Sequence, residues 1–367
     1  MRIRIIITVA CISLLAASCA GTSEDTTTVA GPATTVEDTS TTMGETATTA
    51  GETTTTTEAG GEPESKRVII AETSGISFSR LPSYVNRDRL NEEGWEVDTV
   101  QFSAEDLQVE AVSSGTTNFA RVQALDAIRI LQVGGNIVSI AAERPDEFVA
   151  ISRADVADCS ELDGATIAIQ SEGSTYTSIY RYWLETNCGV TNVEQLVISG
   201  GENRVLALLN GEIDATNVQM ADFINLNRQA PGEFQIQANF GREIPGLVGG
   251  MLVANKTWLQ ENRTLAVEYL TELMKDLHDA NVDGSAIREA AQTYQSEADA
   301  AAFDEVYEVY IEDLGGWPEC GAVDPEVTAD LIGLFEQLDL IDPGLQPDEV
   351  VDFSVLEEAR AAVDFCS

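Results

Sequence analysis

The fold class can be read from the segment Thr166-Ile-Ala-Ile-Gln-Ser-Glu-Gly-Ser-Thr-Tyr-Thr-Ser-Ile-Tyr180. Its first four residues are β-prone and predict a buried strand. A polar loop follows, and Ser174 or Thr175 is a suitable N-cap for a helix with one apolar face. Such a helix start leaves backbone N–H groups unpaired, and these favour an anion or a polar ligand oxygen. A capped turn that binds nothing has the same pattern, so one loop alone does not establish a site.

A second copy of this pattern occupies Val68–Leu81, and further matches continue along the chain at a separation of 96 to 98 positions. The matching pairs are Gly75 and Gly173, Ser77 and Thr175, Phe78 and Tyr176, Gly115 and Gly211, Gln123 and Gln219, and Asp126 and Asp222. Two copies in register predict two lobes that are built alike. If the lobes face each other, both loops and both glutamines converge on one cleft.

The N-terminus has the features of a lipoprotein signal peptide, which we assign to residues 1–18. Two arginines precede an apolar run, Ile5–Ala17, that is too short to span a bilayer. The run ends in Leu15-Ala-Ala-Ser-Cys19, which resembles a bacterial lipobox. The resemblance to a lipobox therefore predicts that Cys19 carries lipid such as palmitate. Two or more acyl chains would anchor the protein stably to a membrane. An ordinary secretory peptide that is cleaved nearby is the alternative.

Residues 19–66 predict a disordered tether that is rich in Thr and Glu. The segment also contains Gly, Ala and Pro but almost no large apolar side chain, so it cannot bury enough surface to offset the entropy of ordering. Its threonines are suitable for O-glycosylation. A plain spacer is the alternative to a tether that lets an anchored domain reach a partner on the same membrane.

The charge of the chain excludes several kinds of partner. The protein has 62 acidic and 20 basic residues, with a formal net charge of −42. Nucleic-acid binding needs a basic face, so we expect none. Anionic lipid head groups are also unfavourable partners. We therefore expect contact with the membrane only through the lipid anchor.

Cysteine usage is consistent with export. Cys159, Cys188, Cys320 and Cys366 remain after the signal peptide and Cys19 are set aside, and four cysteines allow three pairings. We favour Cys159–Cys188 and Cys320–Cys366, because each pair brackets a compact region and an outside compartment permits both bonds. The sequence has no C-x-x-C and no clustered His/Cys spacing, so we expect no metal site and no cofactor.

Strands and helices alternate from Arg67 onward, which predicts an α/β fold in which each lobe is a doubly wound, mostly parallel sheet. We assign residues 67–154 to the first part of lobe 1, 155–248 to lobe 2, and 249–367 to a return to lobe 1 followed by C-terminal helices. Glu147–Ser152 is predicted to lead extended chain out of lobe 1 as a hinge. Thr257 and Asp324 are predicted helix N-caps. Ligands of such sheets bind beyond the carboxyl ends of the strands.

Three stretches resemble the solute-binding lipoproteins of ABC importers, in the group that handles nitrate, sulfonates, taurine and thiamine-precursor pyrimidines. They are Glu161-Leu-Asp-Gly-Ala-Thr-Ile-Ala-Ile169, Leu208-Leu-Asn-Gly-Glu-Ile-Asp-Ala-Thr216 and Val350-Val-Asp-Phe-Ser-Val-Leu-Glu-Glu-Ala359. The resemblance implies a two-lobed, periplasmic-binding-protein-like fold with a double crossover and a ligand in the interlobe cleft. It also implies that the closed form docks on an ABC permease at the outer face of the bacterial cytoplasmic membrane, as a monomer.

The predicted ligand-binding residues come from the two loops and the strand ends beside them. They are Thr73, Ser74, Gly75, Ser77, Phe78, Gln123, Ser171, Gly173, Ser174, Thr175, Tyr176, Asn217 and Gln219. Neither loop contains arginine, and Phe78 and Tyr176 could sandwich a planar ligand. This set favours a pyrimidine-like heterocycle over a sulfonate or nitrate, unless a shift in register aims Arg121 into the cleft.

Catalysis is not expected. His278 is the only histidine and is predicted to be a solvated surface residue, which excludes Ser-His-Asp and Cys-His mechanisms. The eukaryotic-type thiamine-pyrimidine synthase, an enzyme on the resembled fold, uses an active-site histidine and a Cys-rich motif, and neither is present here. A surface sensor or adhesin that uses the same clamp without transport remains the alternative function.

Overall fold

A computed structural model of the protein describes residues 66–73, 76–102, 105–172, 174–244, 246–295, 300 and 302–366. These residues belong to one compact unit, Gly61–Ser367. The predicted signal peptide, Cys19 and the tether up to residue 65 lie outside the described residues. Ser74, Gly75 and Gly173 of the predicted loops also lie outside them.

The described strands form two five-stranded sheets of the same topology. Their order is β2-β1-β3-β10-β4 in the first sheet and β7-β6-β8-β5-β9 in the second. The strands are β1 Arg67–Thr73, β2 Glu96–Phe102, β3 Phe119–Gln123, β4 Ile137–Arg144, β5 Phe148–Arg153, β6 Thr166–Ile169, β7 Glu194–Val197, β8 Ala215–Gln219, β9 Phe234–Asn239 and β10 Gly250–Asn255. In each sheet one strand, β10 or β5, runs antiparallel to both of its neighbours. The predicted two-lobed α/β fold is therefore confirmed.

Helices cover the two sheets and form the C-terminal part of the chain. They are α1 Leu81–Glu92, α2 Glu105–Ser113, α3 Ala124–Gln132, α4 Thr175–Thr186, α5 Gly201–Leu209, α6 Met220–Gln229, α7 Phe240–Glu243, α8 Lys256–Glu261, α9 Arg263–Val282, α10 Ser285–Tyr294, α11 Phe303–Glu312, α12 Pro325–Gln337, α13 Pro347–Val350 and α14 Phe353–Ala361. A 3₁₀ turn, Phe78–Arg80, precedes α1. As predicted, Asp324 caps α12 by accepting hydrogen bonds from two backbone N–H groups.

The internal repeat corresponds to equivalent contacts in the two lobes. Asn118 Oδ1 accepts a hydrogen bond from the backbone N–H of Ile69 at 2.7 Å, which ties β3 to β1. Asp214 Oδ2 accepts from the backbone N–H of Thr166 at 2.9 Å and does the same for β8 and β6. Both bonds pin the central strands of a sheet, so each lobe aligns its ligand-facing strand ends in the same way.

The boundary between the two lobes lies earlier in the chain than the sequence predicted. Phe148–Arg153 does not leave lobe 1 as a hinge but forms β5 inside the second sheet, between β8 and β9. The first crossing is therefore the short segment between Arg144 and Phe148. The second crossing lies between α7 and β10, and the two are in contact, because a Cβ on Gly249 would lie 2.0 Å from the carbonyl oxygen of Pro145.

The predicted cap at Thr257 is also wrong. Asn255 is the N-cap of α8, and its Oδ1 accepts from the backbone N–H of Trp258 at 3.0 Å. Thr257 precedes an apolar run, but Asn255 ends the return strand and already lies at the turn into the helix. The expected return strand at Gly249–Ala254 is present as β10.

Both predicted disulfides are confirmed. Cys159–Cys188 closes a loop within lobe 2, and Cys320–Cys366 joins the C-terminus to the segment that precedes α12. His278 lies beside the second bond and is only 33% exposed. Its Nδ1 is 3.0 Å from Glu319 Oε2, and its ring stacks on Phe365 at 4.1 Å, so it is a packed residue and not the solvated one that was predicted.

Neither a membrane span nor a metal cluster occurs in the part of the chain that the structure describes. No described helix combines the length and apolar character that a bilayer span requires. Likewise, no group of three or more His, Cys, Asp or Glu side chains among these residues is arranged to hold a metal ion.

Candidate functional site

A cavity of about 470 Å³ lies between the two sheets and is called the main cavity here. Both predicted glutamines, Gln123 at the end of β3 and Gln219 at the end of β8, line it, so the two lobes contribute equivalent strand ends. Its remaining lining residues are Ile76, Ser77, Phe78, Arg80, Arg144, Glu147, Glu202, Ala221, Asn225, Gln295, Ala302 and Val306. The main cavity therefore lies between the lobes, and the two glutamines meet at it as the internal repeat predicted.

The second loop faces a separate cavity of about 310 Å³, called the side cavity here. It contains Gln123 as well, so the two cavities meet at that residue. Its other lining residues are Ala124, Leu125, Asp126, Arg129, Phe148, Gln170, Ser171, Ser174, Thr175, Tyr176, Ile179, Leu247, Val248 and Phe335. The two predicted loops therefore do not share one chamber. Ile76 and Ser77 of the first loop line the main cavity, and the described residues Gln170, Ser171 and Ser174 of the second loop line the side cavity.

Two arginines on the first lobe give the main cavity a positive wall. Arg80 ends the 3₁₀ turn before α1, and Arg144 ends β4 at the carboxyl edge of the sheet. Burial lowers the pKa of Arg80, and the nearby charge of Arg144 acts in the same direction. Two guanidinium groups that repel each other in a cavity are stabilised when an anion binds between them.

Arg144 is held in place by its packing. Only 6% of the residue is exposed, and its Nε makes no hydrogen bond with any group in the described part of the chain. The nearest carboxylate oxygen, Glu143 Oε1, is 3.9 Å away. A Cβ on Gly250 would lie 2.3 Å from one of the guanidinium nitrogens, so glycine at this position makes room for the arginine head.

A buried ion-pair network lies in the core of lobe 1 next to Arg144. Arg121 donates to Glu143 Oε2 at 2.7 Å and to a carboxylate oxygen of Glu72, and its third contact is the Tyr269 hydroxyl at 2.9 Å. Burial opposes the charge on Arg121, but Glu143, Tyr269 and Glu72 outweigh it and hold its pKa well above the usual range. Arg121 therefore belongs to the core of lobe 1 and does not point into the cleft.

The first crossing carries two adjacent carboxyl groups that contact different elements. Glu147 lines the main cavity and accepts hydrogen bonds from the hydroxyls of Ser79 and Tyr310. Asp146 accepts from the hydroxyl of Tyr176 in lobe 2 and from the backbone N–H of Phe148. Burial raises the pKa of Asp146 to about 7, although both hydrogen bonds act against this shift.

The predicted aromatic sandwich does not form. Tyr176 is buried, stacks on Phe148 with ring centroids 3.5 Å apart, and bonds Asp146 through its hydroxyl. Phe78 packs its ring against Tyr310 at 4.8 Å and Trp317 at 5.9 Å. The two rings already have aromatic partners within the protein and line different cavities, so they cannot enclose one planar ligand between them.

The other predicted residues occupy several positions. Ser77 lines the main cavity with its hydroxyl 2.9 Å from that of Ser79. Ser174 is the N-cap of α4 by backbone geometry, without a capping hydrogen bond from its side chain. Asn217 is buried in β8 and donates to the carbonyl of Tyr176 at 3.4 Å, so it supports the second loop from below. Thr73 is the last residue of β1.

Sequence reasoning missed Arg80, Arg144, Glu147 and Glu202. The preference for a pyrimidine rests on the absence of arginine from the two loops, and it is not supported, because arginines from neighbouring elements line the main cavity. The carboxyl-end rule that selected Gln123 also applies to Arg144, which ends β4 at the same edge. Arg80 had no comparable signal, because its position depends on the 3₁₀ turn.

A family model described as NMT1/THI5 like matches residues 85–281, which is more than half of the chain. The chain belongs to the NMT1/THI5-like family. A search of curated proteins finds no match. The family match includes β2 to α9 almost completely, and thus both crossings and seven of the fourteen residues that line the main cavity.

Solved structures resemble this NMT1/THI5-like protein over most of its length. The periplasmic aliphatic sulphonate binding protein SsuA of Escherichia coli has a TM-score of 0.61 at 15% identity, covering 78% of this chain and 92% of that one. The alkanesulfonate-binding protein SsuA of Xanthomonas axonopodis pv. citri, bound to MOPS, has a TM-score of 0.55 at 17% identity, covering 80% and 99%. The periplasmic nitrate-binding protein NrtA of Synechocystis PCC 6803 has a TM-score of 0.58 at 11% identity, covering 83% and 90%. At these identities the likeness establishes the fold.

Proposed function

We propose that this protein is an extracytoplasmic solute-binding lipoprotein that captures a small organic molecule with an anionic group in the main cavity and delivers it to an ABC-type importer. The observation that carries the proposal is the pair Arg80 and Arg144 on the wall of an interlobe cavity. Guanidinium groups bind carboxylate or sulfonate through paired N–H donors, and a partly buried site strengthens those bonds. The relatives that bind sulfonates or nitrate on the same fold support this ligand class.

The architecture also supports capture between the lobes. Two short crossings join the sheets, and each lobe contributes a glutamine that can donate and accept hydrogen bonds. A ligand that contacts both lobes stabilises the arrangement in which they are close, because only that arrangement provides both sets of contacts. An ABC permease could then distinguish the loaded protein from the empty one.

A thermal-shift screen tests the ligand class directly. The purified chain is screened against sulfonates, nitrate, carboxylates, amino acids and pyrimidines. An anionic compound should raise the midpoint temperature of thermal unfolding. The shift should disappear in Arg144→Gln and persist in Arg67→Gln, a matched control because that side chain is 56% exposed on β1. Stabilisation only by neutral pyrimidines, unchanged in Arg144→Gln, would contradict the proposal.

Transport and sensing are separated by an uptake measurement. Cells that lack the protein should import the identified solute slowly, and the wild-type chain should restore uptake while Arg144→Gln does not. Normal uptake in the deletion strain, together with ligand binding in the test tube, would favour the alternative of a surface sensor or adhesin.

The lipid anchor on Cys19 is part of the same proposal. The run into Leu15-Ala-Ala-Ser-Cys19 supports processing before Cys19 and attachment at the outer face of the cytoplasmic membrane. We predict that Cys19→Ser releases the protein into the soluble fraction, which fractionation and immunoblotting would measure. Cys11→Ser is the matched control and should leave the protein with the membranes. Retention of Cys19→Ser on membranes would disprove the anchor.

A further inference from the structure

Helix α11 contacts both lobes, and its contact with lobe 1 is aromatic and buried. The ring centroids of Phe303 and Phe78 are 5.5 Å apart, and those of Tyr310 and Phe78 are 4.8 Å apart. Phe303 and Tyr310 are at most 1% exposed. Tyr307 donates a hydrogen bond to the carbonyl of Ala280 on α9 at 2.8 Å. Because buried aromatic rings contribute strongly to packing, we expect α11 to stay attached to lobe 1 when the lobes move.

The N-terminal end of α11 is joined to lobe 2 by polar contacts near the surface. Arg228 on α6 donates to Glu305 Oε2 at 2.6 Å and to the carbonyl of Ala302 at 3.3 Å. The side chains of Arg228 and Glu305 are 35% and 43% exposed. Such an ion pair is weak, because water screens it and because ordering two long side chains costs entropy. This contact can therefore break and form again while the fold stays intact.

The C-terminal end of α11 lies at the two crossings. Tyr310 donates to Glu147 of the first crossing. Asn239 at the end of β9 donates to the carbonyl of Asp313 at 3.2 Å, and Arg242 on α7, just before the second crossing, donates to the last carbonyl of α11. A helix of 10 residues is about 15 Å long, which separates the Arg228 contact from the crossings. A rotation of the lobes about the crossings therefore moves the Arg228 contact most.

The same end of α11 that contacts Arg228 also forms part of the main cavity. Ala302 and Val306 line the main cavity and are at most 8% exposed. Ala302 thus faces the cavity while its carbonyl accepts the hydrogen bond from Arg228. Separation of Arg228 from α11 would open the main cavity at this edge.

We propose that α11 is a strap that holds the two lobes together at one edge of the main cavity before any ligand binds, with the Arg228–Glu305 pair as its releasable contact. The proposal goes beyond the proposed function, because the strap acts whatever solute the cavity takes. It has a consequence for affinity. A protein that already favours the closed arrangement binds its ligand more tightly, because less of the binding free energy is needed to bring the lobes together.

A distance measurement on the ligand-free protein tests the strap. Nitroxide labels are attached to cysteines introduced by Val133→Cys in lobe 1 and Val197→Cys in lobe 2, at residues that are 79% and 59% exposed. The full chain also carries Cys11→Ser and Cys19→Ser, and the other four cysteines form disulfides, so only the introduced thiols react. After dialysis to remove bound solute, pulsed electron paramagnetic resonance should give mainly the interlobe distance of the closed structure.

Reversal of the charge at the releasable contact should open the lobes. Arg228→Glu should raise the ratio of long to short distances about threefold to tenfold, because attraction to Glu305 becomes repulsion. Combining it with Glu305→Arg should restore most of the original ratio. Arg181→Glu is the matched control, because this side chain on α4 is also 35% exposed and its partner Glu172 belongs to the same lobe. The control should leave the ratio unchanged.

Three results would overturn the proposal. They are a mainly long distance before Arg228 is changed, an unchanged ratio in Arg228→Glu, and a ratio that the exchange of both charges does not restore. Arg228→Gln should shift the ratio in the same direction by a smaller factor, and it takes the place of Arg228→Glu if the reversal prevents folding. No ligand is present in these measurements, so their result leaves anion capture to be decided by the thermal-shift screen.

Discussion

Each lobe has one arginine that is only 2% exposed, but the two lobes satisfy its charge in different ways. In lobe 1 Arg121 lies on β3 and forms ion pairs with Glu72 and Glu143. In lobe 2 Arg204 lies on α5, where its guanidinium donates to the backbone carbonyls of Asn217 at 3.0 Å and Ile198 at 3.2 Å. The two arginines thus use different anchors, namely carboxylates in one lobe and main-chain oxygens in the other.

The internal repeat shows that the two buried arginines occupy positions that do not correspond to each other. Arg121 corresponds to Asn217, and Arg204 corresponds to Gln108, both at a separation of 96 positions. Gln108 donates to the carbonyl of Arg121, which is equivalent to the bond from Arg204 to the carbonyl of Asn217, whereas its second bond goes to Ala71 on β1 and that of Arg204 goes to Ile198 after β7. In both lobes a helix side chain, Gln108 or Arg204, therefore donates to the same strand carbonyl. The buried arginine itself lies on a strand in lobe 1 and on a helix in lobe 2. Among the described residues, the buried arginine of lobe 1 alone is paired with carboxylates, and the arginines that line the main cavity come from lobe 1.

The largest expected effect comes from breaking the lobe 1 network. Arg121→Met leaves Glu72 and Glu143 buried without their counter-charge and should lower the free energy of unfolding by about 3–5 kcal/mol. Arg204→Met leaves two carbonyls without a donor and should cost about 1–3 kcal/mol, because no buried carboxylate is stranded. Urea denaturation of both variants measures the difference. Equal losses would mean that the two lobes do not differ as described.

A pH-dependent effect is expected at the first crossing. The pKa of Asp146 is about 7 in the folded protein against 3.8 for an ordinary aspartate. The folded state therefore holds a proton that the unfolded chain has released, and the resulting stabilisation is full below about pH 4 and lost as the pH rises to about 7. The groups that face this carboxyl are Tyr176, Phe148, Glu147 and Arg144.

Asp146→Asn removes this titration. The stability advantage of the wild type over Asp146→Asn should shrink between about pH 4 and pH 7, at a slope of up to about 1.4 kcal/mol per pH unit. Urea denaturation at several pH values measures it. Asp155→Asn is the control, because that carboxylate is 80% exposed, and its difference from the wild type should stay nearly constant. A flat difference for Asp146→Asn would refute the buried, protonated carboxyl.

The smallest effect on folding, with a clear effect on binding, is expected at Gly250. A Cβ at this position would meet the far end of the flexible Arg144 side chain, which can move aside. Gly250→Ala should therefore change stability by less than about 1 kcal/mol and weaken binding of the anion several-fold, because Arg144 loses its position. Calorimetry measures the affinity for the anion, and urea denaturation measures the free energy of unfolding. Unchanged affinity would mean that Arg144 does not need this placement.

The repeat explains what the sequence could predict and what it could not. Strand ends such as Gln123 and Gln219 follow from local pattern, because a strand that feeds a helix projects its last residue toward the cleft. The aromatic partners of Phe78 and Tyr176 do not follow from it, since Trp317 lies more than two hundred positions from Phe78. The arginine wall depends in the same way on distant contacts, such as that of Arg144 with Gly250. Local periodicity contains no information about these pairings.

The central claim is that one ligand is held by both lobes at the main cavity. Gln123 and Gln219 are the equivalent residues that test it most directly, because each lines that cavity from its own lobe. Calorimetric titration of Gln123→Ala and Gln219→Ala uses the anion that gives the largest thermal shift. Each substitution should weaken binding by roughly threefold to tenfold, the value of a net hydrogen bond. If only one of the two variants loses affinity and the other binds as the wild type does, the ligand lies on a single lobe and the account is contradicted.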